Sequence, residues 1–227
     1  MTGLGLAGRA DDRVAGVAMA VAAVDLLGVV CLVLLFVVGG PFGFINDVAN
    51  GVVGVLSAVL AWMSPPVRRQ GWHRLALAAA GGGAILMVAG SILVIFEVTG
   101  YFLAGLVSAV GAAFIGCWVL VANRLPPYAS ELPPGVRTIG HAAGVVMLAG
   151  LLAVPGVLGG VDDQEAAQLY VSTAQLSWLG TYLLYPSWCF RLARTLRLAR
   201  RGQGLVRPRR NPDDSSPGQE LCERRTR

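Results

Sequence analysis

One carboxylate sits in the middle of a long apolar run. Residues 14–38 read VAGVAMAVAAVDLLGVVCLVLLFVV, and Asp25 is the one charged residue among them. A charge inside hydrocarbon is costly, so an ionisable group there is a functional candidate by default. Asp25 could bind a proton or a cation, or act as a general acid or base. Equally, a buried carboxyl could simply tie two helices together by hydrogen bonding. Residues 167–190 offer partners: Gln168, Gln175, Tyr182 and Cys189 recur every seven residues, with Ser172 on the same side. That spacing draws a polar stripe down one face of a helix. Gln175 and Tyr182 fall at about the depth of Asp25, and a hydrogen bond from Asp25 to one of them is expected. The stripe would either line a wet cavity or act as glue between helices.

A second cluster is Asn46, Asp47 and Asn50. Three oxygen-bearing side chains within about one helical turn suit a hard cation. Asn and Asp are also ordinary residues at a helix N-terminus, where they satisfy free N–H groups. For Asn46 and Asp47, capping is the expected role. Asp25 and Asp47 should differ in depth by roughly 14 Å if each helix rises 1.5 Å per residue, which speaks against a paired acid dyad. Glu97, Asp162, Asp163 and Glu165 form a further acidic set in short loops, able to attract cations. A pH-sensing His141 is conceivable beside Gly140 and Gly144.

Other chemistries lack their residues. All eighteen basic residues are Arg, so there is no Lys for a Schiff base. The four cysteines (Cys31, Cys117, Cys189 and Cys222) show no paired spacing for a metal or a disulfide framework. Two histidines on separate segments cannot supply the paired axial ligands of a multi-haem cytochrome. No P-loop, HExxH or GxSxG sequence occurs. No cofactor, metal or nucleic-acid partner is expected, and no catalytic residue can be assigned.

The elements that must position these groups follow from composition. Of 227 residues, 55% are hydrophobic and 14% charged. A bilayer span takes about 20 apolar residues, and six fit: 14–38, 44–63, 75–96, 101–122, 138–158 and 167–190. The first is longer than a signal-peptide core and reads as a retained span. The expected fold is an all-α, polytopic membrane bundle, which excludes a soluble enzyme, a secreted disulfide scaffold and a disordered regulator. Arg9 and Arg13 precede the first span; Arg68, Arg69 and Arg74 follow the second; Arg124 and Arg137 flank the loop after the fourth; the remaining eleven lie from Arg191 onward. The alternate loops carry none. Positive residues mark the cytoplasmic side, so both termini are expected there, in a plasma-membrane and by composition bacterial protein. Trp62, Trp118 and Trp188 would then sit in an inner aromatic belt.

Residues 1–13 read as a polar N-terminal segment. Residues 191–201 place Arg191, Arg194, Arg197, Arg200 and Arg201 on one half of a helical wheel. They could contact anionic lipid headgroups of the inner leaflet, or serve only as a stop-transfer cluster. Residues 202–227 lack apolar periodicity and read as a disordered tail. Small residues recur at helical spacing in Gly54, Ala58 and Ala61, in Gly105, Ala109, Ala112 and Gly116, and in Gly140 and Gly144. Such faces allow close backbone approach, within the bundle or across a homo-oligomer or partner seam. Pro155 and Pro186 should each disturb a helix. Residues 54–61 resemble 105–112, which hints weakly at a parallel repeat. The expected function is a non-enzymatic membrane component: an assembly partner, sensor or accessory subunit. A proton- or cation-coupled transporter using Asp25 and the stripe is one alternative. An intramembrane enzyme on a lipid or isoprenoid, using two of Asp25, Asp47 and Glu97, is the other.

Overall fold

Long apolar runs with few breakers make helices, and the breakers decide where the chain turns. In the computed structural model, which describes residues 3–64, 71–124 and 132–205, α1 spans Gly3–Val38 and α2 spans Phe42–Met63. Between them Gly39 and Gly40 take φ of +73° and +82°, a region open to glycine, and Pro41 follows. The third helix, α3, is Gly71–Ile95 and α4 is Tyr101–Arg124. The described residues are helices joined by turns, and no strand occurs among them.

The two proline-bearing segments are not regular. The fifth apolar run is α5 (Pro134–Met147), a 3-10 segment (Leu148–Ala153) and a short α6 (Val154–Leu158). The last run is α7 (Gln164–Leu179), a π segment (Gly180–Leu184) and α8 (Tyr185–Leu205). Each irregular segment lies just before a proline, Pro155 or Pro186. A proline lacks the N–H that would close the preceding turn, and local 3-10 or π winding is how membrane helices absorb that loss. Ser177 of α7 helps at the first break: its hydroxyl donates to the Met147 carbonyl at 2.8 Å.

Among the described residues, five helices are long and apolar enough to cross a membrane: Asp12–Val38, Phe42–Met63, Gly71–Ile95, Tyr101–Arg124 and Pro134–Leu158. The expected sixth span falls on the interrupted α7–α8 run, which carries Gln168, Ser172, Thr173, Gln175, Ser177 and Thr181. Polar side chains lower its apolar character, and the change of winding divides it, leaving α7 at 16 residues. The helix ends also shift from the sequence reading. Most of the segment 1–13 is already helical, from Gly3. Basic residues 191–201 run on without interruption from Tyr185 to Leu205, so the first residues of the supposed tail are helical too. Residues 206–227, Arg68, Arg69 and the 125–131 loop lie outside the described residues.

Close approach is paid out by glycine along α3, α4 and α5. A Cβ on Gly111 would lie 2.7 Å from the Gly83 carbonyl oxygen, across the α3–α4 seam. On its other side α4 meets α5, where a Cβ on Gly116 would fall 2.7 Å from Met147 Cβ and one on Gly144 would fall 2.9 Å from the Gly116 carbonyl. Gly54 packs on Met87 and Ala84 of α3, and Gly105 packs on Trp178 of α7. The small-residue faces of spans two, four and five are therefore engaged within the chain.

The main core gathers residues of α1, α2, α3, α4, α5 and α8 around Trp118, Trp188 and Tyr185. Trp118 and Trp188 are buried and meet edge to face at 5.8 Å, and Tyr185 stacks on Trp188 at 5.9 Å. This corrects the aromatic-belt expectation for Trp118 and Trp188: both rings fill the bundle interior. Trp62, in contrast, is exposed. Spacing along a helix end cannot say which way a ring turns, and here Trp188 is drawn inward, donating Nε1–H to Asn123 Oδ1 at 3.2 Å.

Candidate functional site: a polar cavity at the acidic end of the bundle

The turns at 39–41, 96–100 and 159–163 lie at one end. Asp162 joins two of them, accepting from the backbone N–H of Gly100 and from that of Leu103 at 3.1 Å. Its carboxylate thus satisfies the open N-terminus of α4. That employment takes Asp162 out of the free acidic surface, which keeps exposed Glu97, Asp163 and Glu165.

At this end α1, α2, α3, α4 and α7 with the π segment enclose a cavity of about 190 Å³. Polar groups reach it from several helices: Asn46, Asp47 and Asn50 of α2, Ser91 of α3, Tyr101 and Ser108 of α4, Gln175 of α7, and Tyr182 of the π segment. Trp178 and Phe36 add aromatic wall. Asp47 is the one carboxylate on the lining. The α2 and α3 walls are clasped together there, because Ser91 Oγ donates to the Asp47 backbone carbonyl at 2.6 Å.

The geometry of Tyr182 organises this site. Its hydroxyl lies 3.2 Å from Asn46 Oδ1 and 3.0 Å from Asn50 Oδ1, so one donor serves two acceptors a turn apart on α2. Gly28 of α1 makes room: a Cβ there would stand 3.5 Å from Asn46 Oδ1 and 3.8 Å from Tyr182 Cε1. Asn46 is buried. The capping role expected for Asn46 and Asp47 is not what the structure shows. The helix begins earlier, at Phe42, with Pro41 before it and no side-chain cap. Asn46 therefore sits in the second turn, where the backbone N–H groups already have partners and its side chain is free to bridge to another helix.

Asp25 lies behind the cavity rather than on it. It is 1% exposed, and neither carboxylate oxygen has a hydrogen-bond partner among the described residues. The expected hydrogen bond to Gln175 or Tyr182 is thus absent. Tyr182 has turned to the two asparagines, and Gln175 faces the cavity. The carboxyl remains within electrostatic range of Tyr182, Tyr185 and Cys189. Tyr185 donates to Ser57 Oγ at 2.8 Å, and Ser57 in turn to the Val53 carbonyl at 2.6 Å. The seven-residue stripe does not stay in one environment. Gln168 and Ser172 are exposed, Tyr182 is half-buried and Cys189 is fully buried. Winding in the π segment differs from 3.6 residues per turn, so residues after it rotate relative to those before it.

The three acids weighed for intramembrane catalysis do not converge. Asp47 lines the cavity, Asp25 is sealed behind it, and Glu97 is exposed with φ of +52° at the end of α3. At the opposite end of the bundle, His141 is half-buried. Sequence reading passed over His73, which is 2% exposed with Nε2 unpartnered, and over Asn123, which holds Trp188. Nothing in its neighbourhood marks His73 as buried, since Arg74 follows it directly. Arg191, Arg194 and Arg197 are exposed along α8, opposite buried Leu192 and Ala193. The side chains of Arg200 and Arg201 lie outside the described residues. No protein-family model, curated protein or solved structure matches this chain.

Proposed function

We propose that this is a six-span, non-enzymatic plasma-membrane protein, both termini cytoplasmic, that binds a small organic ammonium ion in the cavity at its outer end. Its role is that of a sensor or accessory subunit. The observation that carries this reading is the cavity lining: one carboxylate, Asp47, set among aromatic walls from Trp178, Tyr182 and Phe36. A carboxylate supplies charge attraction, and aromatic faces attract cations in a dry site. A bare metal ion fits less well, since it needs many oxygen ligands and the Asn46 and Asn50 oxygens already accept from Tyr182. The acidic residues Glu97, Asp163 and Glu165 would draw cations toward the mouth. Topology rests on the Arg count, with the interrupted α7–α8 run as the sixth span. Exposed Arg191, Arg194 and Arg197, with Arg200 and Arg201, would then contact anionic headgroups of the inner leaflet.

The test is binding of tetramethylammonium to the protein in lipid nanodiscs, followed by tryptophan fluorescence. Trp178 on the lining should report saturable binding. Asp47→Asn should weaken it at least tenfold, about 1.4 kcal/mol. Equal affinity in the wild type and the variant would remove the reading.

A carrier role is the second reading, favoured by the breaks in the fifth and last runs. Interrupted helices at a binding site are a common feature of secondary transporters, and the π segment contributes Tyr182 to this one. Uptake of labelled tetramethylammonium into proteoliposomes separates the two: flux supports a carrier, and binding without flux supports a sensor.

A further inference from the structure

Asp25 has no part in the ammonium site, yet it is the most deeply enclosed acid in the molecule's described spans. Both its oxygens are buried and without a hydrogen-bond partner among the described residues. An unpaired buried carboxylate is a severe cost, so the group either gains a counter-charge or takes up a proton. A metal ion is a poor candidate. The groups near Asp25 are Tyr182, Tyr185 and Cys189, and Tyr185 is already committed to Ser57. No cluster of His, Cys, Asp or Glu able to hold a metal occurs among the described residues. What remains is a proton.

A route for it exists. Tyr182 lines the cavity, and its ring lies against Gly28, which is three residues beyond Asp25 and on the same side of α1. Its hydroxyl is shared between two asparagine oxygens 3.2 and 3.0 Å away. One donor facing two neutral acceptors can be drawn to a third, charged one, because hydrogen bonds to ionised groups are about twice as strong.

We propose that Asp25 is a proton-binding site connected to the cavity through the Tyr182 hydroxyl. With Asp25 ionised, the Tyr182 side chain shifts from Asn50 toward the carboxylate, which in the structure lies beyond hydrogen-bond reach of its hydroxyl. On protonation, the Tyr182 oxygen takes a proton from cavity water as its own passes to an Asp25 oxygen, so Tyr182 is neutral before and after. Asp25 is then neutral, and Tyr182 donates to Asn46 and Asn50 as the structure shows. The titratable groups within electrostatic range of Asp25 are Tyr182 and Tyr185 on the last run and Cys189 beyond them. This proton site stands independently of the ammonium reading, which supplies only its consequence: Tyr182 is part of the cavity wall, so the wall changes with the proton.

The experiment is infrared difference spectroscopy of the full chain in nanodiscs across the pH range over which the protein stays folded. A carboxyl band should appear as the pH falls, vanish in Asp25→Asn, and persist in Asp47→Asn. If Asp25→Asn does not fold, the Asp47→Asn and Glu97→Gln variants keep the assignment testable, since the band must survive both. Tyr182→Phe should keep the band but slow its appearance after a pH jump. A band absent at every pH, or lost in Asp47→Asn, overturns the proposal. So does a band that Tyr182→Phe leaves with unchanged kinetics. Ammonium binding is not used as a readout, so failure of the cavity reading and failure of this one are distinguishable.

Discussion

The two ends of the bundle are built on opposite terms. Toward the Arg-bearing end, Trp118, Trp188, Tyr185, Leu60 and Leu192 fill the interior, and the polar Asn123 is used up: its amide N–H donates to the Val119 carbonyl at 2.8 Å and its oxygen accepts from Trp188. Toward the acidic end, the same helices separate around a cavity that gathers Asn46, Asp47, Asn50, Gln175 and Tyr182. Space and polar side chains coincide there. The difference teaches where each property would reside: the aromatic end holds the packed core, and the acidic end holds the cavity of the proposed binding.

Variants can break that division or sharpen it. The largest effect should come from Trp188→Ala, which empties the centre of the core and leaves Asn123 Oδ1 without its donor. A loss of about 3–5 kcal/mol is expected for removing a buried Trp, read as a large fall in thermal unfolding temperature in nanodiscs. Gly116→Val comes next. Its side chain would collide with Met147 and the Gly144 backbone, and overpacking of this kind costs about 1–3 kcal/mol. The same assay checks it, and ammonium affinity in whatever protein folds should be unchanged. At the other end, Tyr182→Phe removes one shared hydrogen bond beside a polar cavity. A stability loss of about 1 kcal/mol is expected, with altered ammonium binding. An equal or larger loss than Gly116→Val would mean that Tyr182 is chiefly structural.

How much of this could be read beforehand differs between residues. The helical runs were legible because apolar length and Arg placement are properties of the chain itself. Asp25 was legible as an isolated charge, and Asn46, Asp47, Asn50, Gln175 and Tyr182 were legible as polar residues at depth. That all but Asp25 line one cavity was not, because it depends on how α2 and the last run face each other. The expected Asp25–Tyr182 hydrogen bond failed for a related reason. Depth was estimated on regular helices, whereas the π segment before Pro186 turns Tyr182 toward α2. Trp118 and Trp188 were misplaced because a position near a helix end does not give the direction of its ring. Gly28, Gly83 and Gly111 drew no attention, since a glycine in a Gly-rich chain carries no mark of the neighbour it admits.

The most direct test pairs one variant from each end. Asp47→Asn and Asn123→Ala are made side by side, and each is measured for tetramethylammonium affinity and for unfolding temperature. The account predicts a crossed result. Asp47→Asn loses binding while its stability stays within about 0.5 kcal/mol of the wild type, as for a near-isosteric change outside the packed core. Asn123→Ala keeps its affinity and loses about 1–3 kcal/mol, the cost of leaving the Trp188 N–H unpaired. If affinity and stability fall together in both variants, or if Asp47→Asn binds like the wild type, the division between the two ends is wrong.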